Sequence, residues 1–353
     1  MSKKSVKHRN IPIFIPHLGC PNTCVFCNQR SISGKQSFDK GAVVAEIEEV
    51  LSTIPVDSEV EIAYFGGSFT GIDRELMIYL LDVAKGYVDD HREGRAQVSG
   101  IRMSTRPDYI NSEIMEILSK YPIKTIELGL QSMDDDVLRA SKRGHTAADA
   151  ENACRMINDA GYHLIGQMMI GLPESTLEKE IATAEKICEM GACGARIYPT
   201  VTFFGTELAK MAETGAYRML EIEDAVSRSK EVLKVFDLHG VECIRIGLCA
   251  SDNLGDLSKV MGGANHPALG ELVLGEVRYD MLRSILLKKR EKESLEGKAL
   301  TVTVPKGTLS LSVGQNGRNK KRIIEEFNLK DLKIKETDLA DGISVCESEK
   351  TEV

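Results

Sequence analysis

IPIFIPHLGCPNTCVFCNQRSISG, residues 11–34, is the stretch on which the reading of this chain turns. A β-rich run over 11–17 leads directly into three thiols, Cys20, Cys24 and Cys27, at the spacing C-x3-C-x2-C. Nine cysteines in 353 residues without an export signal do not make a disulfide framework; in a reducing compartment they point to metal or redox chemistry. Cys154, Cys188, Cys193, Cys243, Cys249 and Cys346 are scattered, mostly in apolar contexts, and read as small buried hydrophobes.

Three thiolates can hold a four-iron cubane and leave one iron open to an outside ligand. The amine and carboxylate of S-adenosylmethionine (SAM) can chelate that iron, placing the sulfonium for one-electron cleavage. The alternative is zinc, which wants four ligands in two paired halves. His17 could serve as a fourth, but no second thiol pair lies at ribbon spacing.

Outward from this loop, short β-rich runs alternate with amphipathic helices, the mark of a parallel sheet built from βα units. Strands are expected at 11–17, 59–65, 98–104, 124–130, 163–170 and 194–199, and another, 241–248, extends or closes the sheet. Val43, Val44, Ile47, Val50, Leu51 and Ile54 share a helical face that should cover it. Asn111 or Ser112, and Ser175 or Thr176, are placed to cap later helices. The fold class is α/β, a partial (βα)6 barrel over residues 1–260. A helical extension and linker follow at 261–296, then a small α+β unit at 297–345.

The cysteine loop, with the aromatic Phe26 before its last thiol, resembles that of the radical SAM superfamily, in particular the branch containing the Elongator catalytic subunit. The resemblance runs through about residues 11–250. It implies a [4Fe-4S] cluster on the three cysteines, SAM, a flavodoxin- or ferredoxin-type electron donor, and Phe26 near the adenine; loop packing is the alternative for Phe26. Gly66-Gly67-Ser68, after the second strand, matches the turn at which backbone approaches the SAM amino group. Ser104, Gln131 and Arg143 match positions that contact SAM in enzymes resembling the oxygen-independent coproporphyrinogen oxidase. Gln167 stands where an Asp usually holds the ribose. Arg143 can pair with a carboxylate and Gln131 can hydrogen-bond the ligand's polar rim. The plainer readings are a helix-end charge for Arg143 and a turn hydroxyl for Ser104. Glu127 lies on a strand that points at the mouth, its plainer reading being a core-facing salt bridge, and His266 could line the substrate mouth, its plainer reading being a turn histidine beside Pro267.

The tail KALTVTVPKGTLSLSVGQNGRNKKRIIEEFNLKDLKIKET resembles the KH domains of the bacterial transcription factor NusA, with the GxxG loop at Gly314-Gln315-Asn316-Gly317. In KH modules such a loop lets a nucleic-acid backbone approach closely. Arg318, Lys320 and Lys321 follow it. Between 283 and 322 eleven basic side chains face only Glu291, Glu293 and Glu296, on a chain of net charge −8. That segregation suits an RNA-facing patch, or else a solvated bracing helix.

MSKKSVKHRN is basic but is followed by no apolar leader, and no apolar stretch nears the length of a membrane span. A soluble, cytoplasmic protein is expected. The two halves together predict a radical enzyme that modifies RNA, tRNA or rRNA. The alternatives are a small-molecule enzyme resembling coproporphyrinogen oxidase, and a non-catalytic, redox-sensing RNA-binding protein. No segment matches the acetyltransferase-like domain of the Elongator subunit, and no second cysteine triplet is recognisable.

Overall fold

The computed structural model describes residues 7–16, 18–20, 24–27, 37–248, 256, 258–338 and 342–347. His17 and Cys249 lie outside the described residues. Seven parallel strands form one sheet: β1 His8–Ile15, β2 Glu59–Gly66, β3 Gln97–Thr105, β4 Ile123–Gln131, β5 His163–Ile170, β6 Gly194–Pro199 and, beyond β6, Glu242–Ile246. The sheet curls into a half-barrel. The sequence counts six βα units; the segment expected at 241–248 adds the seventh strand by pairing in parallel with β6.

Alternation explains which face is covered. Ile11, Ile13 and Ile15 of β1, Val60, Ile62 and Tyr64 of β2, and Leu164, Met168 and Ile170 of β5 are buried, and these odd or even sets leave one face of their strands. The first covering helix, Val43–Thr53, buries Val43, Ile47 and Leu51, spaced one turn apart. Val44, placed on the same face by the sequence, is 44% exposed: it follows Val43 by about 100° of helix and turns outward. Asn111 accepts from the Ile114 backbone N–H and Thr176 from that of Lys179, so both expected caps form.

One ladder is not legible in the sequence. Val201–Phe203 pairs antiparallel with Val260–Gly263, inside a segment whose glycines read as a turn. Gly263 has φ +97°, and a Cβ there would meet the Thr200 carbonyl oxygen at 2.8 Å. Its glycine serves a close strand approach.

The chain divides into two units, residues 1–221 with 232–265, and residues 222–231 with 266–353. The second holds a three-stranded sheet in which Ala299–Pro305 lies between Asp331–Thr337, parallel to it, and Ser344–Glu347, antiparallel. The long helix Leu269–Arg290, read from sequence as a bracing extension, is part of this unit's core. Tyr279, Leu282 and Leu286 pack with Leu300, Val302, Val304, Ile323 and Phe327. Their three- and four-residue spacing makes an apolar stripe that a linker would not need.

Leu282→Ala should therefore cost about 2–5 kcal/mol of stability in the second unit, the range for a buried leucine. Urea unfolding of the full chain followed in that unit checks this, and a cost below about 0.5 kcal/mol, the surface range, would return the helix to a linker role.

Candidate active site

The cysteine loop leaves β1 and is clamped at its entry by the turn after β2. The Gly67 backbone N–H donates to the Ile15 carbonyl at 2.8 Å and that of Ser68 to the Leu18 carbonyl at 3.2 Å. A Cβ on Gly67 would meet the Leu18 oxygen at 2.0 Å, one on Gly66 the Ile15 oxygen at 2.5 Å, and one on Gly19 the Ser68 oxygen at 2.2 Å. The glycines at 66 and 67, read from sequence as clearing a path for ligand, are thus required by contact with the loop itself. Ser68 and Thr70 both hydrogen-bond the Thr105 hydroxyl, tying this turn to the end of β3. Further along, the Val25 N–H donates to the Ser141 carbonyl and the Val25 carbonyl accepts from Leu208. Phe26 joins an apolar cluster with Val25, Leu208 and Tyr217, so in this structure it packs the loop.

Two arginines converge on Cys24. Arg143 Nη1 lies 3.5 Å from its Sγ and Arg106 Nη1 3.8 Å. Arg143 Nη2 also donates to the Gly129 carbonyl at 2.7 Å, and Arg106 Nη2 to the Arg143 carbonyl at 2.6 Å. Asp108 grips Arg106 through both carboxylate oxygens, at 2.9 and 2.8 Å. Burial alone would weaken the Arg106 charge, but Asp108 outweighs it and holds the guanidinium more firmly protonated. Gln131 sits beside Arg143, since a Cβ at Gly129 would meet Arg143 Nη2 at 2.8 Å and Gln131 Nε2 at 2.9 Å. Gln131 has φ +68°, a strained backbone for a non-glycine at a strand end. Burial pushes the Cys20 thiol up, while Arg143 and then Arg106 pull against it. Arg106 was not singled out by sequence reasoning. The available signal was a charged residue immediately after a barrel strand, in STRPD.

The concave face of the sheet is charged. Arg102 donates to Glu61 and to Glu127, each at 2.7 Å, and Arg196 holds Glu127 at 2.8 and 2.9 Å. Glu61 also takes His8 at 3.2 Å and Thr125 at 3.0 Å. Glu127 therefore fills the salt-bridge role rather than an open position at the mouth. Ser104 stands level with it on β3, and Gln167 is half-buried on β5. His266 accepts the Ala268 N–H on Nδ1, as a turn histidine does.

Residues 14–187 match the radical SAM superfamily, and residues 193–279 the radical SAM C-terminal domain. The chain belongs to the radical SAM superfamily. Elongator complex protein 3 of Saccharomyces cerevisiae is 29% identical over 239 residues, covering 58% of this chain and 43% of that protein. The chain thus spans less than half the length of that relative. A protein of Methanocaldococcus jannaschii is 28% identical over 239 residues, 64% of this chain and 71% of its own. The archaeal Methanocaldococcus infernus Elp3 with its N-terminus deleted shares the fold, with TM-score 0.57 at 19% identity over 81% of this chain and 63% of that one.

Radical SAM enzymes carry a [4Fe-4S] cluster and SAM, and the residues here fit both. Three thiols on one loop are the donor set of a cluster with an open iron. Gln131 Oε1 and Arg143 Nε are buried without a hydrogen-bond partner, which a polar ligand between them would relieve. Cys243, on the seventh strand, is half-buried, and burial pushes its thiol up to about 12.

In the second unit, Gly314–Gly317 connects two helices, Leu309–Val313 and Arg318–Phe327. Gly314 has φ +76° and abuts Asn319, whereas a Cβ on Gly317, φ +73°, would meet nothing within 4 Å. The loop borders a cavity of about 460 Å³, lined also by Glu271, Arg318 and Lys321. Much of the basic excess is internally paired: Arg283 with Glu326, Lys289 and Lys298 with Glu293, Lys320 with Asp331, and Arg322 with Glu276. Arg318 and Lys321 have no ion pair with a described residue.

His145, 4% exposed, is held neutral by burial and by Arg143, with its pKa lowered from 6.5 to about 4. The unfolded chain binds a proton that the folded chain refuses, so stability present above pH 6.5 falls as pH drops toward 4. Between pH 7 and 5 the loss should be about 2 kcal/mol. Urea unfolding of the triple-alanine variant at Cys20, Cys24 and Cys27, with and without His145→Asn, checks this; an unchanged pH slope in the asparagine variant would contradict it.

Proposed function

We propose that this radical SAM enzyme modifies RNA, with the barrel doing the chemistry and the second unit holding a tRNA or rRNA. The observation that carries the reading is the GQNG loop between two helices, bordering a cavity beside Arg318 and Lys321, cations without an ion pair among the described residues. A glycine pair with open space at Gly317 lets a sugar–phosphate backbone come close, and the two cations supply the sequence-independent attraction that phosphates need. The strand–helix–loop–helix–strand order from Ala299 to Thr337, with its outer strands parallel, supports a KH-like module. Relatedness to Elongator complex protein 3 supports the barrel's side of the reading.

When bound, the cluster and SAM supply a 5′-deoxyadenosyl radical able to abstract hydrogen from carbon. The protein's part is to hold and to orient. Cys20, Cys24 and Cys27 would ligate the cluster, and Arg143 and Arg106 donate toward the Cys24 sulfur, which tempers its negative charge. Arg143 and Gln131 would face SAM with their unpartnered atoms; Gly66, Gly67, Ser104 and Gln167 complete that rim, and Phe26 braces the loop. A flavodoxin- or ferredoxin-type protein would deliver the electron.

Replacing Cys20, Cys24 and Cys27 together by Ala should abolish both iron incorporation and release of 5′-deoxyadenosine from SAM in anaerobically reconstituted protein. Survival of both would remove the cluster assignment.

Gly317→Asp should weaken binding of labelled RNA roughly tenfold, equivalent to about 1.4 kcal/mol, while RNA-free SAM cleavage is unchanged. Aspartate tolerates the left-handed backbone there and meets no neighbour, so its effect is charge and bulk against phosphate. Wild-type affinity should also fall with salt, by a log–log slope of about −0.7 per neutralised phosphate on single strands. Equal affinity for both proteins, or none for either, would favour a small-molecule substrate.

A further inference from the structure

One row of positions runs level across the concave face of the sheet. Gly129 of β4 pairs with Gln167 of β5, Gln167 with Arg196 of β6, and Arg196 with Arg245 of the seventh strand. Paired residues on parallel strands about 4.8 Å apart send their side chains from the same face. Gln167, Arg196 and Arg245 thus stand side by side, in a row that begins at the residue whose carbonyl Arg143 holds.

Their charges are not equally balanced. Glu61 and Glu127 are the buried carboxylates of this face, with side chains 4% and 3% exposed. Arg102 takes one oxygen of each, and Arg196 takes both oxygens of Glu127. Two carboxylates are matched by two guanidiniums, and nothing is left over for a third. Arg245 is half-buried, its Nε is enclosed without a hydrogen-bond partner, and it makes no ion pair with a described carboxylate. An arginine stays charged at any working pH. A partly buried guanidinium without a counter-charge is unfavourable in the empty protein. Groups that break local rules in this way concentrate where a ligand completes the balance.

We propose that Arg245, on the last strand of the sheet beside Arg196, is an oxyanion subsite on the inner face of the barrel that takes a phosphate group of the substrate. Arg245 supplies the charge and a planar donor fork. Arg196 is already saturated by Glu127 and adds field without giving up its own partner. The proposal deepens the RNA reading by naming the group that enters the barrel, and rests on that reading only for the phosphate's carrier.

Thermal unfolding of the full chain against inorganic phosphate tests it, since a ligand that binds only the folded state raises the melting temperature in proportion to its affinity. Phosphate should stabilise the wild type, Arg245→Gln should weaken its apparent affinity at least tenfold, and Arg245→Lys should stay within a few-fold. Without phosphate, Arg245→Gln should melt no lower than wild type, because it removes an uncompensated charge. Binding of labelled RNA by the wild type, measured alongside, separates failure at this subsite from failure of the RNA-holding unit. Competition by a trinucleotide would identify a phosphodiester as the carrier, and competition by uridine monophosphate alone a small-molecule phosphate. Phosphate affinity unaltered in Arg245→Gln would overturn the proposal. So would loss of folding in that variant, which would make the partner of Arg245 the protein itself, and so would acetate binding as tightly as phosphate.

Discussion

Everything at the mouth of this barrel depends on one backbone clamp, the seating of the cysteine loop on the turn after β2. Gly66, Gly67 and Gly19 bring two chain segments within van der Waals reach, and Gly67 and Ser68 donate backbone hydrogen bonds to Ile15 and Leu18. The clamp sets where the thiols leave the sheet. Ser68, Thr70 and Thr105 then connect it to the strand end that carries Arg106, so the loop and the arginines that face Cys24 share one hydrogen-bonded frame. A site built this way is positioned by backbone sterics, which give less with temperature or salt than a surface ion pair would.

Below the mouth, a second constraint operates. A parallel barrel fragment leaves one sheet face without helices, and that face is filled here by a lattice of Glu61, Arg102, Glu127 and Arg196 instead of an apolar core. Breaking such a buried pair leaves a bare charge, at a cost of about 3–5 kcal/mol. The lattice therefore locks neighbouring strands in register while keeping the interior polar, and leaves Arg245 without an ion pair among the described residues.

Much of this was legible in the sequence. Strands β2 to β6 start and end within one residue of where alternation and turn residues place them, because each has a helix-facing set of β-branched or large apolar side chains, whereas β1 begins at His8, three residues ahead of the expected start. The cysteine spacing declares its chemistry by itself. The inner-face charges were less visible: each of VEIAYFG, IRMST, IELGLQ and ARIYP carries a single charge inside an apolar run, and only the sheet order shows that they meet. Arg106 was hidden for the same reason, since beyond Asp108, two residues on, its partners Arg143 and Cys24 come from two further loops. In the second unit, the basic excess between 283 and 322 overstated the free charge, because sequence counts cannot see that Arg283, Lys289, Lys298, Lys320 and Arg322 are matched to acids brought in by the fold.

On the proposed reading, the orphaned atoms of Arg143 and Gln131 await SAM beside a cluster held by Cys20, Cys24 and Cys27. The most direct measurement is SAM affinity, by equilibrium dialysis, of anaerobically reconstituted Arg143→Ala against wild type, with iron counted in both. As a proposed ligand contact and not an iron ligand, Arg143 should on replacement leave iron equal and lower SAM affinity by about 1.5–3 kcal/mol, the scale of a hydrogen bond to a charged group. Unchanged SAM affinity in a folded, iron-loaded variant would contradict it.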